Sequence, residues 1–285
     1  MSEPVTRTPL FGAEQAPRYE RQSLIAQYQE MVGVNLIVVI DDIMPVRMTI
    51  LEELLFDCDP AKDLHVLLAS PGGDGETALR MVRSMQLRCK ELTVIVPDMA
   101  KSAATILCLG AHRILMGPGG DLGPIDPQMI RYSNGRPVGA SSAKEIVAAV
   151  DEAEERVTRN PSTVGLFASL LSEVNMLVLQ QAKSALARSE SLMAEALKST
   201  DRLTPKGVKD LTRRLQAPLI KVPTSHSAVI TADDALDLGL PVEKADPASA
   251  EWRLLWSLWS RYFALGCFPA GNVPIYEAVR ASHAG

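Results

Sequence analysis

The feature that most constrains the fold of this chain is a series of short apolar strands that alternate with helical segments. Strands are predicted at Val34–Ile40, His65–Ala69, Leu92–Val96 and Arg113–Met116. Strands that are apolar almost throughout are typical of parallel sheets, because helices cover both faces of such a sheet. Strand–helix–strand units at this spacing also indicate right-handed crossovers. The sequence therefore predicts an α/β fold with a mostly parallel sheet.

Composition divides the 285 residues into three predicted parts. Residues 1–21 are polar and rich in proline, so we expect a flexible N-terminal arm. Residues 22–245 are predicted to form the α/β domain, with a helical insertion at about 143–215 and a short strand at Leu219–Val222. Residues 246–285 are predicted to form a partly helical C-terminal tail, which is rich in aromatic residues and holds all three tryptophans.

The composition also argues against several classes of function. The net charge of -5 gives no reason to expect a nucleic-acid partner. The four cysteines form no CxxC pair, so neither a disulfide framework nor a metal site is expected, and no cofactor is implied. We find no secretory signal and no apolar run of about 18 residues. A cytoplasmic protein, with contact to a membrane surface left open, is expected.

Two turns at the carboxyl ends of neighbouring strands carry residues suited to catalysis. The first contains Gly72 and Gly73, whose backbone can adopt φ > 0 and point N–H groups into a cleft. The second places Ser102 at the start of a helix, where unpaired N–H groups favour developing negative charge. Ligands bind at this edge of α/β sheets. Each turn also fits a structural role, with Ser102 as a helix N-cap and the glycines as a tight turn.

A serine nucleophile needs a base, and histidine is the usual one. His65 begins a strand, His112 lies at the entry to another strand, and His283 is in the tail. These three are better explained as structural residues. His226 lies in a predicted loop and stays a candidate.

A lysine can also act as the base if burial lowers its pKa toward neutrality. Lys144 lies at the predicted start of a helix, with few charges before it in the sequence. Lys101 is adjacent to Ser102, but adjacent side chains in a turn diverge, so Lys101 is the weaker candidate. For both lysines, a solvated surface position is the alternative.

Three motifs follow one another in this region. They are Ser70-Pro-Gly-Gly73, Lys101-Ser-Ala-Ala104 and Leu122-Gly-Pro-Ile-Asp-Pro-Gln128. Their order and spacing resemble the ClpP/crotonase superfamily and, more closely, the serine dehydrogenase proteinase family, a relative of signal peptide peptidase A. The resemblance spans roughly Val34 to Lys244.

This resemblance implies a ClpP/crotonase-like spiral of ββα units with a mostly parallel sheet. It implies that Ser102 is the nucleophile of a serine peptidase. The backbone amides of Gly73 and Ala103 would form the oxyanion hole, and Gly72 would support them. The expected reaction is peptide-bond hydrolysis through an acyl-enzyme.

The resemblance also bears on the choice of base. Where Clp peptidases have their histidine, this chain has Ile125-Asp126-Pro127, so a Ser-His-Asp triad of Clp type is not expected and Asp126 is at most a supporting residue. Relatives of signal peptide peptidase use a lysine, and Lys144 falls where that lysine would be expected. We therefore predict a Ser102–Lys144 dyad.

Two other functions remain open at this point. A crotonase-type acyl-CoA enzyme would share the fold and the oxyanion hole but would act on a thioester with acidic residues. A non-catalytic oligomeric scaffold would keep only the fold. The resemblance predicts a homo-oligomer whose substrates are peptides or proteins, with membrane proteins among the candidates.

The C-terminal aromatic residues Trp252, Trp256, Trp259 and Phe263 have the spacing of one helical stripe. Three interpretations compete for this stripe. It packs against the body of the protein, it forms a self-association surface, or it lies in a membrane interface.

Overall fold

The computed structural model describes residues 8–133, 136–222 and 228–284. Within these residues the helices are α1 (Pro9–Val32), α2 (Met48–Leu55), α3 (Gly75–Gln86), α4 (Ala103–Leu109), α5 (Ala143–Arg159), α6 (Val164–Leu170), α7 (Met176–Lys198), α8 (Pro205–Gln216), α9 (Ala232–Asp237) and α10 (Ala250–Ala264). The strands are β1 (Asn35–Ile40), β2 (Leu64–Ala69), β3 (Leu92–Val96), β4 (Met99–Ala100), β5 (Arg113–Met116), β6 (Asp121–Leu122), β7 (Gln128–Ser133), β8 (Arg136–Ser142), β9 (Val242–Lys244), β10 (Ile275–Glu277) and β11 (Ser282–Ala284).

The largest sheet in the described part of the chain has seven strands in the order β11-β10-β1-β2-β3-β5-β9. The five strands from β1 to β9 in this order are parallel, whereas β10 and β11 add an antiparallel edge. The predicted α/β fold with a mostly parallel sheet is therefore confirmed. Each of the four strands predicted between Val34 and Met116 is present, with ends that differ by no more than one residue.

Successive side chains of β1 point into two apolar clusters, one on each face of the sheet. Leu36 and Val38 pack in the cluster that includes residues of α1 and α10. Ile37 and Val39 pack in the cluster that includes residues of α2, α3 and α4. Because both faces are covered, all six residues of β1 are buried, which explains why its sequence lacks polar alternation.

The N-terminal helix α1 corrects the prediction of a flexible arm, because residues 9–21 are helical. Arg21 on this helix is buried, and its guanidinium pairs with Glu277 on β10, with Nε 2.8 Å from Oε2. Gln22 donates a side-chain hydrogen bond to the carbonyl of Ala278. These contacts with residues more than 250 positions away stabilise a helix that its polar sequence and internal Pro17 disfavour. The predicted division into three parts stays a prediction.

The C-terminal residues are built into the main sheet and its core. Helix α10 packs against α1, and β10 pairs with β1. Trp252 and Trp259 are buried, which confirms packing against the protein's own body for these two side chains. Trp256 and Phe263 are 51% and 52% exposed, so half of the aromatic stripe is left uncovered.

The segment after the β7–β8 hairpin is helical, as predicted, from α5 through α8. The strand predicted at Leu219–Val222 is wrong, because Ala217–Lys221 forms a turn of π-helix that buries Leu219 and Ile220. Short apolar runs bury equally well in either conformation, so periodicity could not distinguish them. Within the described residues, no helix combines the length and mean hydropathy that a membrane span requires.

His65 on β2 belongs to a buried hydrogen-bond network. The Tyr28 hydroxyl donates to Glu251 Oε1 at 2.8 Å and lies 2.8 Å from His65 Nδ1. Since the hydroxyl proton is used on Glu251, His65 Nδ1 is the donor to Tyr28. Burial lowers the pKa of His65 from 6.5 to about 4, so the folded state holds this imidazole neutral.

The free energy of unfolding is therefore expected to fall as the pH drops from about 6.5 to about 4. In this range His65 is protonated in the unfolded chain but stays neutral in the folded chain. The loss assigned to this residue is about 3 kcal/mol. Urea unfolding of the wild type and of His65→Asn, measured across this range, checks the prediction. If the two proteins lose stability in parallel, His65 is not the group responsible.

Candidate active site

Backbone pairing brings the glycine turn and the serine turn together. Ser70, at the end of β2, forms a bridge with Ala100 of β4. The Lys101 N–H donates to the Ser70 carbonyl at 3.0 Å, and the Ser70 N–H donates to the Met99 carbonyl at 3.1 Å. The hydroxyl of Ser70 accepts from the N–H of Gly72 and fixes the start of the glycine turn. The two predicted catalytic turns are therefore neighbours in the fold.

Ser102 has an unusual backbone conformation, with φ 51° and ψ −114°. A positive φ in a residue with a side chain costs about 1–3 kcal/mol and is often found at functional sites. Ser102 occupies the N-cap position of α4, but its side chain makes no capping hydrogen bond. The interpretation of Ser102 as a structural N-cap is therefore wrong, and its hydroxyl is not used by the helix.

The glycine turn has a shape that only glycine can supply. Gly72 and Gly73 have φ of 117° and 136°. A Cβ on Gly72 would lie 2.7 Å from the Cβ of Ser102, and a Cβ on Gly73 would lie 2.3 Å from the carbonyl oxygen of Ile43. Among the described residues, neither the N–H of Gly73 nor that of Ala103 has a hydrogen-bond acceptor. Both are the amides predicted for the oxyanion hole.

These groups line one cavity of about 210 Å³. Gly73, Ser102 and Ala103 form one side of it. The remaining lining comes from the starts of α3 and α4, from the loop before β7 and from α7, and includes Ile106, Ile125, Pro127, Ala185, Ser189 and Leu192. The cavity thus brings Ser102 and these two amides beside a wall that combines apolar side chains with the charged groups of Asp74, Glu76 and Arg188.

Helix α7 is the part of this cavity that sequence reasoning missed. Arg188 on α7 pairs through two N–H groups with the carboxylate of Glu76 in the first turn of α3, and it also pairs with Glu195. The ion pairs lower the pKa of Glu76 and of Glu195. The α7 residues lie about 90 positions after Ser102 in the sequence. They carry no motif that indicates contact with the Ser102 cavity.

The predicted base Lys144 does not line the cavity, although the start of its helix is attached to the cavity wall. The N–H of Ala143 donates to the carbonyl of Pro127 at 3.0 Å. Ser142 caps α5 and donates its hydroxyl proton to Asp126 Oδ1 at 2.7 Å. Asp126 is buried and thus supports the position of α5. Lys144 lies one residue after this junction and is partly exposed.

Lys101, the alternative lysine, forms a buried ion pair with Asp121. Its side chain is buried, and its Nζ lies 2.5 Å from Asp121 Oδ1. The same Nζ donates to the carbonyls of Leu122 and Ala228, each at 3.3 Å. Burial raises the pKa of Asp121, and Lys101 opposes that shift. Lys101 therefore anchors the turn before Ser102 and is not available as its base.

The histidines supply no base in the described part of the chain. His65 belongs to the network with Tyr28, His112 accepts a hydrogen bond from the N–H of Leu92 at 3.0 Å, and His283 lies on β11 at the sheet edge. The remaining candidate, His226, lies outside the described residues. No cluster of three or more potential metal ligands occurs among the residues that were described.

Comparison with known proteins confirms the predicted resemblance. Residues 31–157 match the family described as ClpP-like SDH-type serine proteinase, and this segment contains all three motifs. The family supports a serine-protease kind of function. The parallel sheet described above is consistent with a ClpP-like α/β fold.

Two uncharacterized proteins of Methanocaldococcus jannaschii are also similar to this chain. One is 26% identical over 186 residues, which are 65% of this chain and 55% of the relative. The other is 22% identical over 184 residues, which are 65% of this chain and 53% of the relative. The chain thus spans about half the length of the curated relatives that it matches.

Proposed function

Because residues 31–157 match a family of ClpP-like serine proteinases, we propose that this chain is a serine peptidase that hydrolyses peptide bonds in peptides or proteins. The observation that carries the proposal is the conformation of Ser102. Its backbone is held at positive φ, and its hydroxyl is not used as a cap. It shares a cavity with two amides that have no acceptor among the described residues.

The proposed reaction starts with attack of Ser102 Oγ on the carbonyl carbon of the scissile bond. The carbonyl oxygen gains negative charge, and the N–H groups of Gly73 and Ala103 donate to it. Donors that are already in place for this charge are commonly the largest contribution to acyl transfer, and loss of one donor slows such reactions about 10²–10³-fold. The C–N bond then breaks, the amine product leaves with a proton, and water hydrolyses the acyl-serine.

We propose Lys144 as the base of this reaction. In its neutral form the amine would accept the proton of the Ser102 hydroxyl and return it to the leaving nitrogen. Support comes from the hydrogen bonds that attach the start of α5 to the loop carrying Pro127, which lines the Ser102 cavity. The competing lysine, Lys101, already forms an ion pair with Asp121.

Lys144→Arg is expected to lower kcat/KM for peptide hydrolysis about 100-fold, because arginine keeps the charge but cannot lose its proton at neutral pH. The assay is the release of new amino termini from a mixture of synthetic peptides, measured by mass spectrometry. Lys209→Arg, an exposed lysine on α8, is the matched control and should retain wild-type activity. Full activity in Lys144→Arg would show that another group is the base.

The same assay, combined with a measurement of coenzyme A binding, separates the alternative functions. An acyl-CoA enzyme of the crotonase type would bind coenzyme A and leave the peptides intact, and a scaffold would do neither. The family match and the uncapped serine favour the peptidase. The predicted homo-oligomer, the cytoplasmic location and the membrane-protein substrates stay predictions.

A further inference from the structure

A second and larger cavity lies against the exposed half of the aromatic stripe. Its volume is about 690 Å³, within the range of small-molecule sites. One wall is the face of α10 that carries Trp252, Trp256, Trp259 and Phe263. The opposite side is formed by loops at the ends of β3, β5 and β9, with a proline from each. No residue that lines this cavity lines the Ser102 cavity.

The aromatic wall combines rigid and uncovered rings. Trp252 and Trp259 are 5% and 3% exposed, so their positions are fixed by the core. The rings of Trp252 and Trp256 pack against each other with centroids 6.3 Å apart. Trp256 and Phe263 keep about half of their surface open to solvent. The wall therefore combines two rings that the core holds in place with two rings that are half open to solvent.

One carboxylate, that of Asp98, belongs to this mostly apolar lining, whose other polar side chains are those of Arg253 and Ser260. Among the described residues, no group donates a hydrogen bond to the Asp98 side chain. Burial and the neighbouring Asp121 raise its pKa, and Lys101 opposes this shift. Lys101 already pairs with Asp121, so within the described part of the chain the Asp98 carboxylate has no ion-pair partner of its own. The other charged residue of the lining, Arg253, is exposed at the rim.

We propose that this cavity binds a small organic cation, an ammonium group on an apolar body, with the indole faces and the Asp98 carboxylate as its recognition elements. The faces of tryptophan rings attract ammonium groups, and quaternary ammonium ions are bound in this way by aromatic cages. An anionic ligand would meet the unpaired carboxylate, and a hydrated metal ion would gain few oxygen ligands from an aromatic wall. An apolar ammonium ion fits both the charge and the surface.

Intrinsic fluorescence tests the proposal directly, because all three tryptophans of the chain line this cavity. The full chain is titrated with benzyltrimethylammonium, with choline, and with 3,3-dimethylbutan-1-ol, which is the neutral isostere of choline. We expect saturable fluorescence changes with both cations, and choline should bind about tenfold more tightly than its neutral isostere. The proposal would be overturned if neither cation gave a saturable change. It would also be overturned if choline and its neutral isostere bound equally well.

Two variants assign the interaction to named residues. Asp98→Asn should weaken benzyltrimethylammonium binding about tenfold while leaving the binding of the neutral isostere unchanged. Trp256→Leu, at a half-exposed position that tolerates substitution, should weaken the binding of both cations, and the other two tryptophans still report it. Wild-type affinity in both variants would show that the cations bind elsewhere. Lys209→Arg, at an exposed position that lines neither cavity, is the matched control and should bind like the wild type.

Discussion

Ser102→Ala is expected to lower the rate of peptide hydrolysis by at least about 10³-fold. In serine hydrolases, removal of the nucleophile alone costs most of the catalysis, and what remains comes from the oxyanion donors and from binding. Here the N–H groups of Gly73 and Ala103 would stay in place, so substrate binding should change far less than kcat. The measurement is kcat and KM for one peptide substrate, with wild type and variant prepared in the same way.

Ser189→Ala is the matched control for this experiment. Ser189 lines the same cavity and is buried, but it has an ordinary helical position on α7. Its loss should leave kcat within a few-fold of the wild type. Residue 102 is held at positive φ, a conformation that alanine, like serine, rarely adopts. Urea unfolding of Ser102→Ala is therefore measured to check that the variant is folded. A folded Ser102→Ala protein with wild-type kcat would contradict the assignment of the nucleophile.

Arg21→Met is expected to lower the free energy of unfolding by about 3–5 kcal/mol, because it leaves a buried carboxylate without its counter-ion. Glu277 is fully buried and accepts hydrogen bonds from Arg21 Nε at 2.8 Å and from the Tyr262 hydroxyl at 2.6 Å. The guanidinium also lies over the ring of Tyr262, 5.4 Å from its centroid. This cluster joins α1, α10 and β10, so its loss affects all three elements.

Equilibrium urea unfolding measures this effect, and Arg261→Met is the matched control. Arg261 lies on α10 and pairs with Glu20 on α1, so it joins the same two helices, but both partners are more exposed and water screens their charges. The control should lose much less stability than Arg21→Met. Equal losses in the two variants would show that the buried pair contributes no more than the surface pair.

Much of the sheet could be predicted from the sequence because its signals are local. The strand Leu92–Val96 is apolar except for Thr93, and helix α3 begins after Asp74, whose side chain caps it by accepting from the N–H of Thr77. Residue type and the preceding strands locate the glycine and serine turns. The proximity of the two turns follows from the rule that parallel strands end at one edge of a sheet.

The remaining parts depend on contacts that are distant in sequence. The helix at residues 9–21 is stabilised by Glu277, and β10 finds its place only beside β1. The positive φ of Ser102 has no local signal either, because serine rarely adopts it. The position of α7 beside Ser102 also depends on contacts distant in sequence. The amphipathic pattern of a helix does not specify which cavity the helix will line.

The central claim, that the Ser102 hydroxyl is an activated nucleophile facing two free amides, is tested most directly by trapping the acyl-enzyme. The chain is mixed with a peptide p-nitrophenyl ester, quenched in acid during turnover, and mapped by mass spectrometry after digestion. We expect one acyl group on the peptide that contains Ser102, and none in Ser102→Ala. Turnover accompanied by an acyl group on another residue, or by none at all, would contradict it.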